Sequence, residues 1–246
     1  MKFRRRNQDV DATDVETEAD AVDETSDTDD DAGEAVDPRA NGPWDHTEFD
    51  VPADEPAFID LGGLIVRGRV GLDLQIPQDE GTDRLAAVLL VTSDAAVEVR
   101  AFAAPRTGGL WDEVRAEIVA EVERLEGQVA EVDGPHGPEL QVQVPARTPD
   151  GQDAVQPSRI VGVEGPRWFL RGTFMGRAAL EPDVDGVLER GFREVVVRRG
   201  NDAMPPREPI EVTLPAGAVP AGEQTVVDDS ATSAEESDQD PSERDA

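Results

Sequence analysis

The sequence predicts an α+β protein: a mostly antiparallel sheet with two amphipathic helices, flanked by disordered acidic tails. Three observations predict it. Acid concentrates at the ends of the 246-residue chain, where residues 1–56 carry 19 Asp/Glu against 5 Lys/Arg, net −14, and residues 216–246 carry 9 against 1, net −8. The middle, 57–215, carries 27 against 17, net −10, and holds nearly all the large apolar residues. Within it the order reads several strands, a helix, four strands, a helix, which argues for α+β and against βαβ winding. The predicted organisation is a tail over 1–43, a single domain over 44–215 whose first residues, 44–57, form a strap, and a tail over 216–246. The stretch DVDATDVETEADAVDETSDTDDDAGEA has no aromatic and no aliphatic larger than Val, so it cannot bury enough surface to offset its ordering entropy.

Each element of the domain has its own signal. In GPWDHTEFDVPADEPAF, Trp44, Phe49 and Val51 sit among acids; lying just before the first strand, the segment is expected to dock on its own core. Phe58 to Leu61, Leu64 to Arg69 and Leu72 to Ile76 are strands, the last with Leu72, Leu74 and Ile76 alternating with Asp73 and Gln75. RLAAVLLVTS reads as a buried strand. AAVEVRAFAAP then sets Val97, Val99 and Ala101 on one face and Glu98, Arg100 and Phe102 on the other. TGGLWDEVRAEIVAEVERLEGQ is the first helix, its stripe made of Trp111, Val114, Ile118, Val122 and Leu125, with Gly127 expected at C′. Two strands joined by DGPHGP follow, then ARTPDGQDAVQP as a long polar loop. SRIVGVEGPRWFLRGTFMG gives two more strands with a turn at Glu164-Gly165-Pro166. PDVDGVLERGFREVVVRRG reads as the second helix, with Val184, Val187, Leu188, Phe192, Val195 and Val196 on its stripe and Gly200 as its stop.

The segments GLIVRG, GGLWDEVRAEI and GPRWFLRGTFMGRAA carry a resemblance to the actinobacterial domain of unknown function 3710 family, over roughly Trp44 to Leu214. The resemblance implies a cytoplasmic protein and carries no catalytic residues over to this chain. By association it points toward nucleotide or DNA metabolism. The strand order is also loosely similar to Mog1/PsbP-like modules, which implies a noncatalytic binding or accessory role; fold alone does not imply function.

Composition narrows the chemistry. The chain has no cysteine, which excludes disulfides, zinc-thiolate sites and a thiol nucleophile and fits a cytoplasmic location. No apolar run approaches the ~20 residues of a membrane span, so no membrane partner is expected. Of two histidines, His46 and His136, both are expected at the surface with no metal or catalytic role. No hydrolase, phosphate-loop or zinc-protease pattern occurs, so neither cofactor nor metal is expected. RTGGLWDE places glycines before a helix N-terminus, where capping is expected rather than a phosphate site.

The stretch RWFLRGTFMGRAAL, Arg167 to Leu180, gathers three arginines, a Trp and two Phe in a chain of net charge −32. Alternation puts Trp168, Leu170, Gly172 and Phe174 on a core face, and Phe169, Arg171, Thr173, Met175 and Arg177 on the other. With Arg67, Arg69 and Arg100 from other strands, Arg171 and Arg177 form the candidate anion- or partner-binding set. The expected function is that of a noncatalytic binding or adaptor protein with an unidentified protein partner. The alternatives are an accessory factor in nucleotide or DNA metabolism, binding nucleic acid through that arginine face, and an enzyme with an unrecognised carboxylate site. The acidic tails are expected to keep the protein soluble; the alternative is that they compete for the arginine face. Oligomeric state is not legible.

Overall fold

The structure is a computed structural model that describes residues 37, 39–52, 57–77 and 85–215; the expectations for the acidic stretches 1–36 and 216–246 lie outside these residues. Eleven described strands form two sheets where the sequence suggested one. β1 (Trp44–Asp45), β2 (Phe58–Asp60), β3 (Leu64–Arg67) and β11 (Val196–Val197) make the small sheet, in the order β1-β11-β3-β2. β4 (Asp73–Gln75), β5 (Val88–Val91), β6 (Ala95–Ala103), β7 (Gln128–Gly134), β8 (Gly137–Arg147), β9 (Asp153–Gly165) and β10 (Trp168–Gly176) make the large one, in the order β4-β5-β6-β10-β9-β8-β7. Every strand pair of the large sheet is antiparallel, and β1 with β11 is the parallel pair of the small sheet.

The strand alternation read from the sequence is the alternation that is buried. Val97, Val99 and Ala101 of β6 and Trp168, Leu170 and Phe174 of β10 are fully buried. They meet Leu64, Val66, Val195 and Val197 of the small-sheet layer in the main core. The opposite face of the large sheet builds a second core, in which Phe169, Leu140 and Val142 pack under α1 (Leu110–Arg124) through Leu110, Trp111 and Val122. Gly162 of β9 permits this docking: a Cβ there would stand 2.3 Å from the Trp111 ring.

Four elements depart from expectation. The second helix is shorter than its apolar stripe. A single turn, α2 (Arg177–Leu180), is followed by α3 (Val187–Arg193), while Val195 to Val197 run extended. Three β-branched residues in a row lose less side-chain freedom in a strand than in a helix, and here Val196 and Val197 pair with Ile65 and Leu64 on one side and with β1 on the other. The expected polar loop is an extension of β8 and β9 closed by a tight turn, where Thr148 N donates to Gln152 O at 2.9 Å and Gly151 N to Thr148 O at 2.8 Å. Its polarity reflects a two-stranded ribbon wet on both faces. At the end of α1, C′ is Glu126 with φ 57°, not Gly127; Gly127 N closes on Val122 O at 2.9 Å, the six-to-one bond of a Schellman cap. Leu125 accordingly leaves the stripe and is exposed. Finally, the β9–β10 turn residues are Pro166 and Arg167, with Arg167 at φ 65°.

The segment read as a strap lies against the cores. Trp44 N donates to Val195 O at 2.9 Å, Trp44 stacks on Phe49, and Trp168 Nε1 donates to Asp45 Oδ2 at 2.8 Å. Residues 39–43, placed in the tail by composition, belong with it: Arg39 pairs with Glu48 and its guanidinium lies 5.2 Å from the centroid of the Trp168 ring.

Candidate functional site

The structure places the five predicted arginines apart: Arg100 and Arg171 meet on the large sheet, Arg67 and Arg69 meet at Glu194, and Arg177 stands apart at α2. In the β6–β10 register Arg100 lies directly opposite Arg171, and the next pair on the same face, Phe102 and Phe169, stacks at 6.0 Å. Antiparallel pairing with period 2 forces this juxtaposition once the register is set. One carboxylate serves both cations: Glu98 Oε1 accepts from Arg100 Nε at 2.9 Å and lies 3.9 Å from an Arg171 terminal nitrogen. Arg171 also lies 5.5 Å from the Phe102 ring centroid, and its Nε is buried without a hydrogen-bond partner. Burial pushes its guanidinium below the usual arginine value; Glu98 opposes that and Arg100 adds to it. Directly opposed like charges destabilise a strand pair.

A hollow of about 160 Å³ opens beside this pair, floored by Phe102 and Phe169, walled by Leu110 and Val114 of α1, and rimmed by Arg171 and Arg207. Arg207 is held by Glu113 and Glu117 of α1, at 2.8 and 2.7 Å. At the same end of the β6–β10 pair, Ala104 N donates to Arg167 O at 2.9 Å. There the charges of Arg167 and Arg106 both act on Arg199, whose guanidinium is lowered by burial first and by these two cations, against Asp202. The sequence reading missed Arg106, Arg199 and Arg207 because all three lie outside the strands whose alternation it used.

The other three predicted arginines stand elsewhere. Arg67 and Arg69 belong to the small-sheet layer, where both engage Glu194 and Arg67 lies over Phe58. Arg177 is the first residue of α2, not a strand residue, and its Nε donates to Asp94 Oδ2 at 2.6 Å. Arg159 faces the main core, opposite Phe174 in the β9–β10 register.

Arg159, whose strand position suggested that it joins the arginine face, is instead buried on the core side and centres a group of its own. It is 1% exposed, bonds Glu139 Oε2 at 2.8 Å, pairs with Glu189 of α3, and lies 4.0 Å from the Phe174 ring centroid. Burial pushes the Glu189 carboxyl above the usual range; Arg159 pulls it back, Glu139 pushes further, and Arg193 pulls back. His136, expected at the surface, is buried here and meets Phe192 edge-on at 5.2 Å, because the β7–β8 turn folds back toward α3. His46 is exposed, 3.3 Å from Asp45 Oδ1. Glu189 also lines a cleft of about 570 Å³ between α2, the start of α3 and the β5–β6 turn.

The N-terminus of α1 holds a carboxylate of the chain itself. Glu164 accepts from Gly109 N at 2.9 Å and from Trp111 N at 2.6 Å, so the amides after RTGG are satisfied across the fold. Among the described residues no group of three His, Cys, Asp or Glu is placed to hold a metal ion, and no helix is long and apolar enough to cross a membrane.

These features define an α+β protein of two sheets, the large one carrying the Arg100–Arg171 pair beside the Phe102–Phe169 stack. The chain belongs to the family described as Protein of unknown function (DUF3710), whose profile matches residues 42–221. No curated protein matches it.

Proposed function

We propose that this chain is a noncatalytic binding module whose docking face is the β6–β10 strip, and that its partner is an acidic protein segment carrying one aromatic or branched side chain. The observation that carries the reading is the Arg100–Arg171 pair, two cations held opposite each other over one carboxylate, Glu98, beside an apolar hollow. A carboxylate from a partner meets the part-exposed Arg171 guanidinium with planar, two-pronged hydrogen bonds, and a hollow of about 160 Å³ suits a single side chain.

Panning a random peptide library on the full chain tests this. The expected peptides carry carboxylates around an aromatic or branched residue. They lose affinity with salt, and by tenfold or more on Arg100→Gln/Arg171→Gln, about 1.4 kcal/mol. Enrichment of peptides that bind the double variant as well as the parent overturns the reading.

A further inference from the structure

We propose that Arg106, Arg167 and Arg199 form a binding site for a doubly charged tetrahedral oxyanion, a phosphate carried by a monoester or free in solution. The site lies at the β9–β10 turn and does not depend on the docking face proposed above. Two chains of contacts bring the three residues together. Ala104 N donates to Arg167 O at 2.9 Å, which joins the segment carrying Arg106 to the turn. Trp168, next to Arg167, donates its indole N–H to Asp45 at 2.8 Å. Asp45 in turn pairs with Val197 in the β1–β11 register, and Arg199 follows just after Val197. The three cations thus come from the ends of elements in both sheets.

The observation that carries the site is a missing countercharge. The chain has 55 Asp and Glu against 23 Lys and Arg, and its arginines elsewhere meet carboxylates, as Arg159, Arg177 and Arg207 do. Among the described residues no ion pair or side-chain hydrogen bond engages Arg106 or Arg167. Arg199 donates from Nη1 to the carbonyls of Gly200 and Asp202 at 3.1 and 2.7 Å, while its Nε is buried without a partner. Burial first, then the charge of Arg167, lowers the Arg199 guanidinium; Asp202 opposes them and Arg106 adds to them. Glu164, the carboxylate nearest to Arg167 in the sequence, is occupied by the Gly109 and Trp111 amides. Three cations therefore stand against the one carboxylate that acts on Arg199. Like charges held together and a buried donor left unpaired are both costly, and a dianion offsets both.

The arrangement also selects the kind of anion. Each guanidinium offers a planar fork of donors. A phosphate monoester presents three charged oxygens to forks that arrive from three directions, whereas a carboxylate has two oxygens and a single charge. Two unbalanced positive charges match the dianion.

NMR of the full chain labelled with nitrogen-15, in phosphate-free buffer, tests the proposal. Inorganic phosphate is the first probe and N-acetyl-O-phosphoserine amide the second, to separate the free ion from an ester; saturation by either supports the site. Sodium chloride at matched ionic strength is the control. Saturable shifts are expected at the Arg199 Nε–H and at the indole N–H of Trp168, with the Trp111 indole, bonded to Pro138 O at the β7–β8 end of the sheet, as the unshifted reference. Affinity at least tenfold weaker is expected in Arg106→Gln/Arg167→Asn. Asn accepts the left-handed backbone of Arg167, at φ 65°, so that variant keeps the turn. Arg199→Gln is the second variant, also expected to weaken binding, and Arg124→Gln, at the exposed end of α1, should bind as the parent does. No saturation with either probe, shifts matched by chloride, or unchanged affinity in Arg106→Gln/Arg167→Asn overturns the proposal.

Discussion

Replacing Arg159 with methionine keeps most of the volume of the side chain and removes its charge. Arg159, Glu139 and Glu189 have side chains 1%, 2% and 5% exposed, so the substitution leaves two carboxylates buried without their cation. Breaking a buried ion pair from one side costs about 3–5 kcal/mol. At roughly 2–4 °C per kcal/mol for a chain of 150–250 residues, the melting temperature should fall by roughly 6–20 °C. Urea unfolding at pH 7, followed by tryptophan fluorescence, measures the loss. The pH dependence gives the same reasoning a second check. The Glu189 carboxyl is held above its usual value by burial, so just above the unfolded pKa the folded state holds a proton that the unfolded state has released. Stability from this group is highest below the unfolded value, about 4.3, and is lost as pH rises toward the raised folded one. Without Arg159, which pulls the Glu189 carboxyl down, that group ionises still less readily, and the deficit should shrink toward pH 5. Replacing Glu139 and Glu189 by apolar residues as well should recover much of the loss, since a whole buried triad is often dispensable. A loss below about 1 kcal/mol at pH 7 in the single variant would refute the account of a buried, ion-paired group.

Two further outcomes follow from single contacts. Glu164→Ala removes the acceptor for Gly109 N and Trp111 N at the head of α1, and should cost about 0.5–2 kcal/mol by the measure of lost helix caps; amide exchange in the first turn of α1 should quicken while the β6–β10 pair keeps its protection. Asp45 contributes in the acid range. Burial pushes its carboxyl up, but hydrogen bonds from Thr47 and Trp168, with His46, hold it below the usual value. That stability is present above the unfolded pKa and fades as pH falls through the folded one, so Asp45→Asn should flatten the acid limb of the unfolding curve.

How far the candidate site was legible varies by residue. The face of Arg171 was readable, because strand alternation follows from backbone geometry. That Arg171 meets Arg100 was not, because register depends on turns and on which strands pair. Arg177 was misplaced on a strand because Gly176, at φ 67°, turns the chain into α2 one residue earlier. Val195 and Val196 fit a helical stripe as well as a strand, and the strand partner of Val196, Ile65, is some 130 positions away in the sequence. Glu139, Arg159 and Glu189 carried no local signal. A charged residue in a sequence reads as exposed, and only three elements meeting around it make it a buried one.

Local physics therefore determined much of this protein from the sequence alone: the strand faces of β6 and β10, the amphipathic α1, the gathering of acid at the ends, and the exclusion of thiol chemistry. These depend on spacing and inventory, which need no partner to be read. Tertiary structure alone decided the split into two sheets, the Arg100–Arg171 juxtaposition, the Glu164 cap on α1 and the Arg159 group. Each joins residues from different elements, and their free energies depend on desolvation and on geometry that exists only after the chain has closed on itself.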